Sequence, residues 1–189
     1  MTRPGVYLAL VHHPVRGRGG ETITSSVTNL DIHDIARLAR SYDVARYYIV
    51  TPIEAQRDLV AHILGYWHGG PGGSKVPERA EALSTVQTVV SIDDALADIR
   101  AREGSAPTVM TTAARSTGHP IPWGDAERAV ASRERPVLLL FGTGYGLADE
   151  VFARAEVHLA PVRPGGYNHL AVRSAVGIIL DRLLGDDRA

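Results

Sequence analysis

Two glycine-rich segments late in the chain hold the residues best suited to binding chemistry. The first, Phe141-Gly142-Thr143-Gly144-Tyr145-Gly146-Leu147, ends an apolar run over residues 137–140. The second is Pro161-Val162-Arg163-Pro164-Gly165-Gly166-Tyr167-Asn168-His169-Leu170. Glycine lets the backbone approach a ligand closely and adopt positive φ. Such loops present N–H and C=O groups to an adenine or ribose edge. The alternation of Gly142, Gly144 and Gly146 is not the dinucleotide fingerprint. That pattern needs Gly-x-Gly-x-x-Gly after the first strand and an acidic residue about twenty positions on. Nor is it a phosphate loop, because no Gly-Lys-Ser/Thr follows. A tight strand-to-helix turn would use the same glycines. The second loop is what favours a nucleotide-like pocket at the C-terminal end of the chain.

Titratable groups suited to acid–base work cluster near the start of a predicted helix: Asp31, His33, Asp34 and Arg37. Asp31 and Asp34 would equally serve that helix start as dipole and capping residues. Arg37 would equally form a surface ion pair with Asp34. His12 and His13 end the first predicted strand, where either ligand contacts or plain half-buried histidines are expected. None of the eight histidines stands at a ligand-like spacing from carboxylates, and there is no cysteine. No catalytic metal is therefore expected.

The elements that must position these residues alternate in type. Strands are predicted over 6–11, 47–50, 86–90, 108–111 and 137–141, with a weak one over 157–159. Helices are predicted over 31–42, from a capping box at Thr51-Pro52-Ile53-Glu54 to residue 67, from Ser91-Ile92-Asp93-Asp94 to Gly104, over 125–132, and over 170–184. Asn168 is placed as the N-cap of the last helix. Residues 68–77 read as a glycine- and proline-rich loop. Residues 14–27 show no clear period; a loop that long is either functional or a solvated surface. The implied fold is α/β: a mainly parallel sheet with helices on both faces, in one domain over 1–189. The last helix is apolar around nearly its whole circumference, so it is covered on several sides, within its own domain or by another subunit.

The chain has 189 residues, a net charge of −1 and no cysteine. It can bury roughly 70% of its unfolded surface and needs no covalent staple. The absence of cysteine excludes a disulfide framework and fits a reducing cytoplasm. No apolar stretch is long enough to span a membrane, and the N-terminus reads as a strand, not a leader. Near-neutral charge argues against non-specific coating of a polyanion, although it leaves a local basic stripe possible.

At this point three blocks carry a family resemblance. They are residues 139–147, residues 167–175 beginning Tyr167-Asn168-His169-Leu170, and the N-terminal Thr28-Asn29-Leu30-Asp31-Ile32-His33-Asp34-Ile35-Ala36-Arg37 with Tyr48-Ile49-Val50-Thr51-Pro52. Together they resemble a bacterial family of RNA methyltransferases in the SPOUT superfamily, and the resemblance covers essentially the whole chain. It implies a C-terminal deep trefoil knot, which no periodicity could indicate. It implies S-adenosylmethionine as methyl donor, held by three loops. The first contains Thr112 and Arg115; the second contains Gly142, Thr143, Gly144, Tyr145 and Gly146; the third contains Leu159, Pro161, Tyr167, Asn168 and His169. It implies RNA, in particular tRNA, as the acceptor. Arg115 and Arg163, in the first and third loops, are then expected on RNA phosphate or on the donor carboxylate, and Arg16 and Arg18 on RNA from the 14–27 loop. It also implies a homodimer joined through the C-terminal helix.

Arg37 matches the arginine of the first motif in the family's tRNA ribose 2′-O-methyltransferases, and Asp31 and His33 accompany it as catalytic candidates. Asp31 stands where those enzymes have Asn, Asp43 where they have Gly, and Leu170 where they have Ser. The acceptor is thus either a ribose 2′-hydroxyl or a guanine base nitrogen. The alternatives are a non-catalytic RNA- or protein-binding module on the same fold, and a small-molecule enzyme on an ordinary doubly wound sheet.

Overall fold

The computed structural model describes residues 5–115 and 118–185. The chain runs β1 (Val6–Val11), β2 (Val15–Arg16), β3 (Thr22–Ile23), α1 (Asn29–Ser41), β4 (Arg46–Val50), α2 (Glu54–His68), α3 (Pro71–Lys75) and α4 (Pro77–Leu83). It continues through β5 (Val86–Val89), α5 (Ile92–Glu103), β6 (Thr108–Thr111), α6 (Trp123–Ser132), β7 (Val137–Gly142), α7 (Asp149–Arg154), β8 (Val157–His158) and α8 (Val172–Leu184).

Six strands form one parallel sheet in the order β5-β4-β1-β7-β6-β8. β1 is apolar and buried at all six positions, as a strand covered on both faces requires. Its even residues, Val6, Leu8 and Leu10, pack with Ile32 and Ile35 of α1 and Val176 and Leu180 of α8. Its odd residues, Tyr7, Ala9 and Val11, pack with Ile92 and Ile99 of α5 and Val151 of α7. The period of two along the strand thus divides the core into two layers.

The chain leaves β1 for β4 on one side and later returns to insert β7 on the other. Strand order reverses between β1 and β7. Ligands of open parallel sheets bind beyond the carboxyl ends of strands at such a point. The glycine turn stands there, at the end of β7.

Helix α5 starts on the expected capping box, Ser91 with Asp94, and stops at Gly104 with φ 73°. The expected box at Thr51 does not form. α2 begins at Glu54 with Ile53 as N-cap and no side-chain cap; the buried Thr51 hydroxyl instead accepts from the Ile53 N–H at 3.3 Å. The predicted loop over 68–77 contains α3 and the start of α4. Pro71 and Pro77 lie at first helical positions, where proline starts a helix instead of breaking one. α7 was not foreseen. The aperiodic segment holds the β2–β3 hairpin, with Val15 opposite Ile23. α8 begins at Val172 with Ala171 as N-cap and no side-chain cap, so Asn168 is not its cap.

α8 lies between α1 and α6 on the sheet. Arg173 meets Asp31 and Asp34 of α1, each at 3.5 Å. Lower down, the Tyr42 hydroxyl donates to Asp181 at 3.2 Å. Neighbours within the same chain therefore cover most of the helix's circumference.

Candidate functional site

Gly142 closes β7. A Cβ there would collide with the backbone N of Leu147, so the turn folds back only on glycine. Gly144 and Gly146 have φ of 59° and 102°, a region that L side chains rarely adopt. The Gly146 N–H donates to Thr143 O at 3.0 Å. The N-terminal hairpin braces the turn from outside. Arg16 N–H donates to Gly146 O at 2.9 Å, Tyr145 N–H donates to Arg16 O at 3.4 Å, and Ala148 N–H donates to Pro14 O at 3.3 Å. Val15 bridges Leu147. Among the described residues, the N–H and C=O of Gly144 and the C=O of Tyr145 make no backbone hydrogen bond. They remain open to a ligand.

Two further loops stand at the ends of the neighbouring strands. After β6, Thr112 donates from both its N–H and its hydroxyl to Leu140 O, at 3.1 and 3.0 Å. After β8, the buried Leu159 donates its N–H to Thr111 O at 2.9 Å and bridges Ile121. Pro161 is buried. Asn168 Nδ2 donates to Ala114 O, joining the third loop to the first. Beside it Tyr167 is 83% exposed, with its ring 5.3 Å from that of His169. The predicted donor residues are thus gathered at one end of β6, β7 and β8.

The predicted RNA contacts lie on these same loops and on the hairpin. Arg18, Arg115 and Arg163 are exposed. Arg16 is held by Asp149 at 3.1 Å.

The structure does not gather the three catalytic candidates at one point. Asp31 is buried and accepts from the Thr28 hydroxyl at 2.6 Å, with Arg173 on its other oxygen. His33 meets the Trp67 ring edge-on at 5.7 Å, and burial together with the Arg79 charge lowers its pKa. Arg37 is exposed and lines an open groove between α1 and α4 with Arg40, Ser41, Glu78 and Glu81. Arg40 pairs with Glu81 at 2.7 Å there. Asp34, the sequence-level partner for Arg37, pairs with Arg173 instead.

His12 is fully buried. Burial lowers its pKa to about 4, against a smaller opposing effect of Asp31. Its Nδ1 lies 3.0 Å from Ser25 Oγ. Ser25 Oγ in turn contacts Thr143 Oγ1 of the glycine turn. Sequence reasoning passed over Ser25. The one available signal was a run of hydroxyl residues, Thr24-Ser25-Ser26 and Thr28, in a segment without period.

A family model described as "SAM-dependent RNA methyltransferase" matches residues 5–185. The chain belongs to this family. The chain is 47% identical over 187 residues to the tRNA (guanine-N(1)-)-methyltransferase of Oleidesulfovibrio alaskensis, covering 97% of this chain and 43% of that one. It is 36% identical to an uncharacterised protein of Aquifex aeolicus, covering 100% of this chain and 92% of that one. It thus spans less than half of the named relative and nearly the whole of the other. Among solved structures, TrmJ from Z. mobilis superposes with a TM-score of 0.59 at 20% identity, covering 98% of this chain and 71% of that one. The TrmH/SpoU tRNA modifying enzyme of A. aeolicus gives 0.60 at 13%, covering 95% and 74%. The chain therefore shares the fold of these solved structures. Among its described residues no helix is long and apolar enough to cross a membrane, and no group of histidines and carboxylates could hold a metal.

Proposed function

We propose that the chain transfers a methyl group from S-adenosylmethionine to tRNA, with the donor held at the ends of β6, β7 and β8. The observation that carries this reading is the open backbone of Gly144 and Tyr145, presented by a turn that only glycine can close. Thr112, Leu159, Pro161, Tyr167, Asn168 and His169 complete the cradle. The donor supplies an already activated methyl group. What the protein adds is position, by holding donor and acceptor in line and by excluding water.

The third loop passes through the first as a knot in this reading. In support, the chain after β8 is held against the chain after β6 at two places: at Ile121, which bridges Leu159 by donating its N–H to His158 O at 2.9 Å, and at Ala114, whose O accepts from Asn168. A homodimer is also proposed. Arg37 lines a groove that none of the donor loops lines. For Arg37 to act on the acceptor, a second copy must bring its α1 face to the donor site. Val172, Ile178 and Leu184 of α8 are only half-buried, which leaves apolar surface for that contact. Exposed Arg18, Arg115 and Arg163 would hold phosphate, and a cysteine-free chain suits the cytoplasm.

The acceptor is a ribose 2′-hydroxyl or a guanine nitrogen. The guanine-N1 name belongs to relatives of which this chain covers only 43%, so it does not select between the two. The scattered setting of Asp31, His33 and Arg37 favours a second reading, a knotted module that binds RNA without catalysis.

The deciding assay incubates the purified chain with total tRNA and labelled S-adenosylmethionine, then identifies methylated nucleosides by mass spectrometry. Transfer of label supports the enzyme, and tRNA binding without donor binding selects the module. Arg37→Ala is expected to lower kcat about 100-fold with donor affinity unchanged. Unaltered turnover in that variant removes Arg37 from the chemistry.

A further inference from the structure

We propose that His12 and Ser25 are positioning residues for the donor site, through a one-way hydrogen-bond relay that runs from His12 Nδ1–H to Ser25, from Ser25 to Thr143, and from Thr143 to Val11 O. The proposal rests on the reading that the 142–147 turn holds the methyl donor.

Proton counting sets the direction. The Thr143 hydroxyl lies 3.1 Å from the carbonyl oxygen of Val11. A carbonyl only accepts, so Thr143 donates its single proton there. Its contact with Ser25 Oγ must then be one in which Ser25 donates. Ser25 has spent its only proton, so it accepts from His12 Nδ1 across 3.0 Å. The relay therefore specifies the neutral His12 tautomer that is protonated on Nδ1 and bare on Nε2. The surroundings agree with that tautomer. His12 is fully buried, and its Nε2 has no hydrogen-bond partner among the described residues. A bare nitrogen is less costly to bury unpartnered than an N–H that cannot donate.

The backbone fixes the relay's members in place. Ser25 N–H donates to His12 O at 2.9 Å, and His12 N–H donates to Val50 O at 2.9 Å. Gln56 Nε2 reaches Ser25 O at 3.4 Å. Thr143 stands between Gly142 and Gly144, the residues with the freest backbone in the turn. Its side chain is the point at which the interior of the protein grips the turn and sets the peptide that carries the open Gly144 N–H. Neither His12 nor Ser25 is placed to touch the donor. Both act through Thr143.

The test uses the whole chain. Calorimetry measures binding of S-adenosylmethionine and of S-adenosylhomocysteine to wild type, Ser25→Ala and Ser25→Thr, with melting temperature and tRNA affinity recorded alongside. Ser25→Ala is expected to weaken donor binding about tenfold and to lower the melting temperature, because the buried His12 Nδ1–H loses its acceptor, with tRNA affinity held. Ser25→Thr, which keeps the hydroxyl, restores most of that loss. Equal donor binding in wild type and Ser25→Ala overturns the positioning role. So does a loss of tRNA affinity as large as the loss of donor affinity, which marks general destabilisation. Nitrogen-15 NMR of the imidazole rings gives a readout independent of the donor. A bare Nε2 and protonated Nδ1 on His12 at neutral pH supports the relay, and the opposite tautomer overturns it. If wild type binds no donor at all, the donor reading of the turn fails and the positioning role falls with it, while the tautomer still decides whether the relay exists.

Discussion

The two glycine-rich loops proposed to frame the donor are built on opposite plans. The glycine turn over 142–147 is gripped along its length. Val15, Arg16 and Pro14 bind its outer backbone, Val11 and Ser25 hold Thr143, and Leu147 is buried beneath it. The loop over 159–171 is anchored near its ends, by Leu159 and Pro161 on one side and by Asn168 on the other. Its middle, Arg163 to Tyr167, is exposed throughout. Glycine serves a different purpose in each. In the turn it admits a backbone with no room for a Cβ at Gly142 and with positive φ at Gly144 and Gly146. At Gly165 a Cβ would meet nothing within 4 Å. One of the two loops is therefore held in shape by its own chain, and the other exposes its side chains, Tyr167 foremost.

Two alanine substitutions test that contrast directly, and they carry the largest expected difference. Gly142→Ala drives a Cβ into the Leu147 backbone and should cost about 3 kcal/mol of stability, with donor binding lost. Gly165→Ala should stay within about 0.5 kcal/mol. Urea unfolding of both variants decides the matter. Equal costs would show that the two loops are not differently built.

Acidification probes the same gripped loop. His12 titrates near 4 in the folded chain against an ordinary value of 6.5. Between those values the unfolded chain binds more protons, so stability increases with pH. Its contribution is complete above pH 6.5 and is lost as pH falls towards 4, up to on the order of 3 kcal/mol. His33, shifted in the same direction, adds to the slope. His12→Asn should flatten most of this dependence when unfolding free energies at pH 5 and pH 7.5 are compared. A slope equal to that of wild type would place the buried proton elsewhere.

How far the site could be read from the sequence follows from the same contrast. Both glycine-rich loops, all six sheet strands and the α5 cap announce themselves through local signals: turn residues, apolar runs and a capping box. The grip on the turn does not. Arg16 was read as a charged side chain for RNA, yet what it gives the turn is its backbone N–H and C=O, which every residue type but proline possesses. Ser25 lies 118 positions from Thr143, and no local pattern reports a contact so distant. Pro71 and Pro77 begin helices only because the chain around them folds so that their missing N–H costs nothing. Asn168 looked like a helix cap because residue type at a helix entrance is a local clue. Its actual partner, Ala114 O, depends on where the third loop crosses the first.

On the exposed loop the expected effects are smaller and fall on binding. Asn168→Ala removes the side-chain hydrogen bond that ties the third loop to Ala114 O of the first. Donor binding should weaken about tenfold, roughly 1.4 kcal/mol, while stability changes by less than about 0.5 kcal/mol. Calorimetry paired with thermal unfolding separates the two. A stability loss as large as the binding loss would mean that Asn168 holds the fold and not the pocket.

Arg16→Ala gives the smallest expected effect and separates backbone from side chain within one residue. The substitution leaves the N–H and C=O that brace Gly146 and Tyr145, so donor affinity should be unchanged. It removes the exposed ion pair with Asp149, worth about 1 kcal/mol at most. If the guanidinium also contacts phosphate, tRNA affinity falls and the dependence of log K on log salt becomes shallower by about 1. An unchanged slope would confine Arg16 to Asp149 and leave Arg18, at the tip of the same hairpin, to meet the RNA.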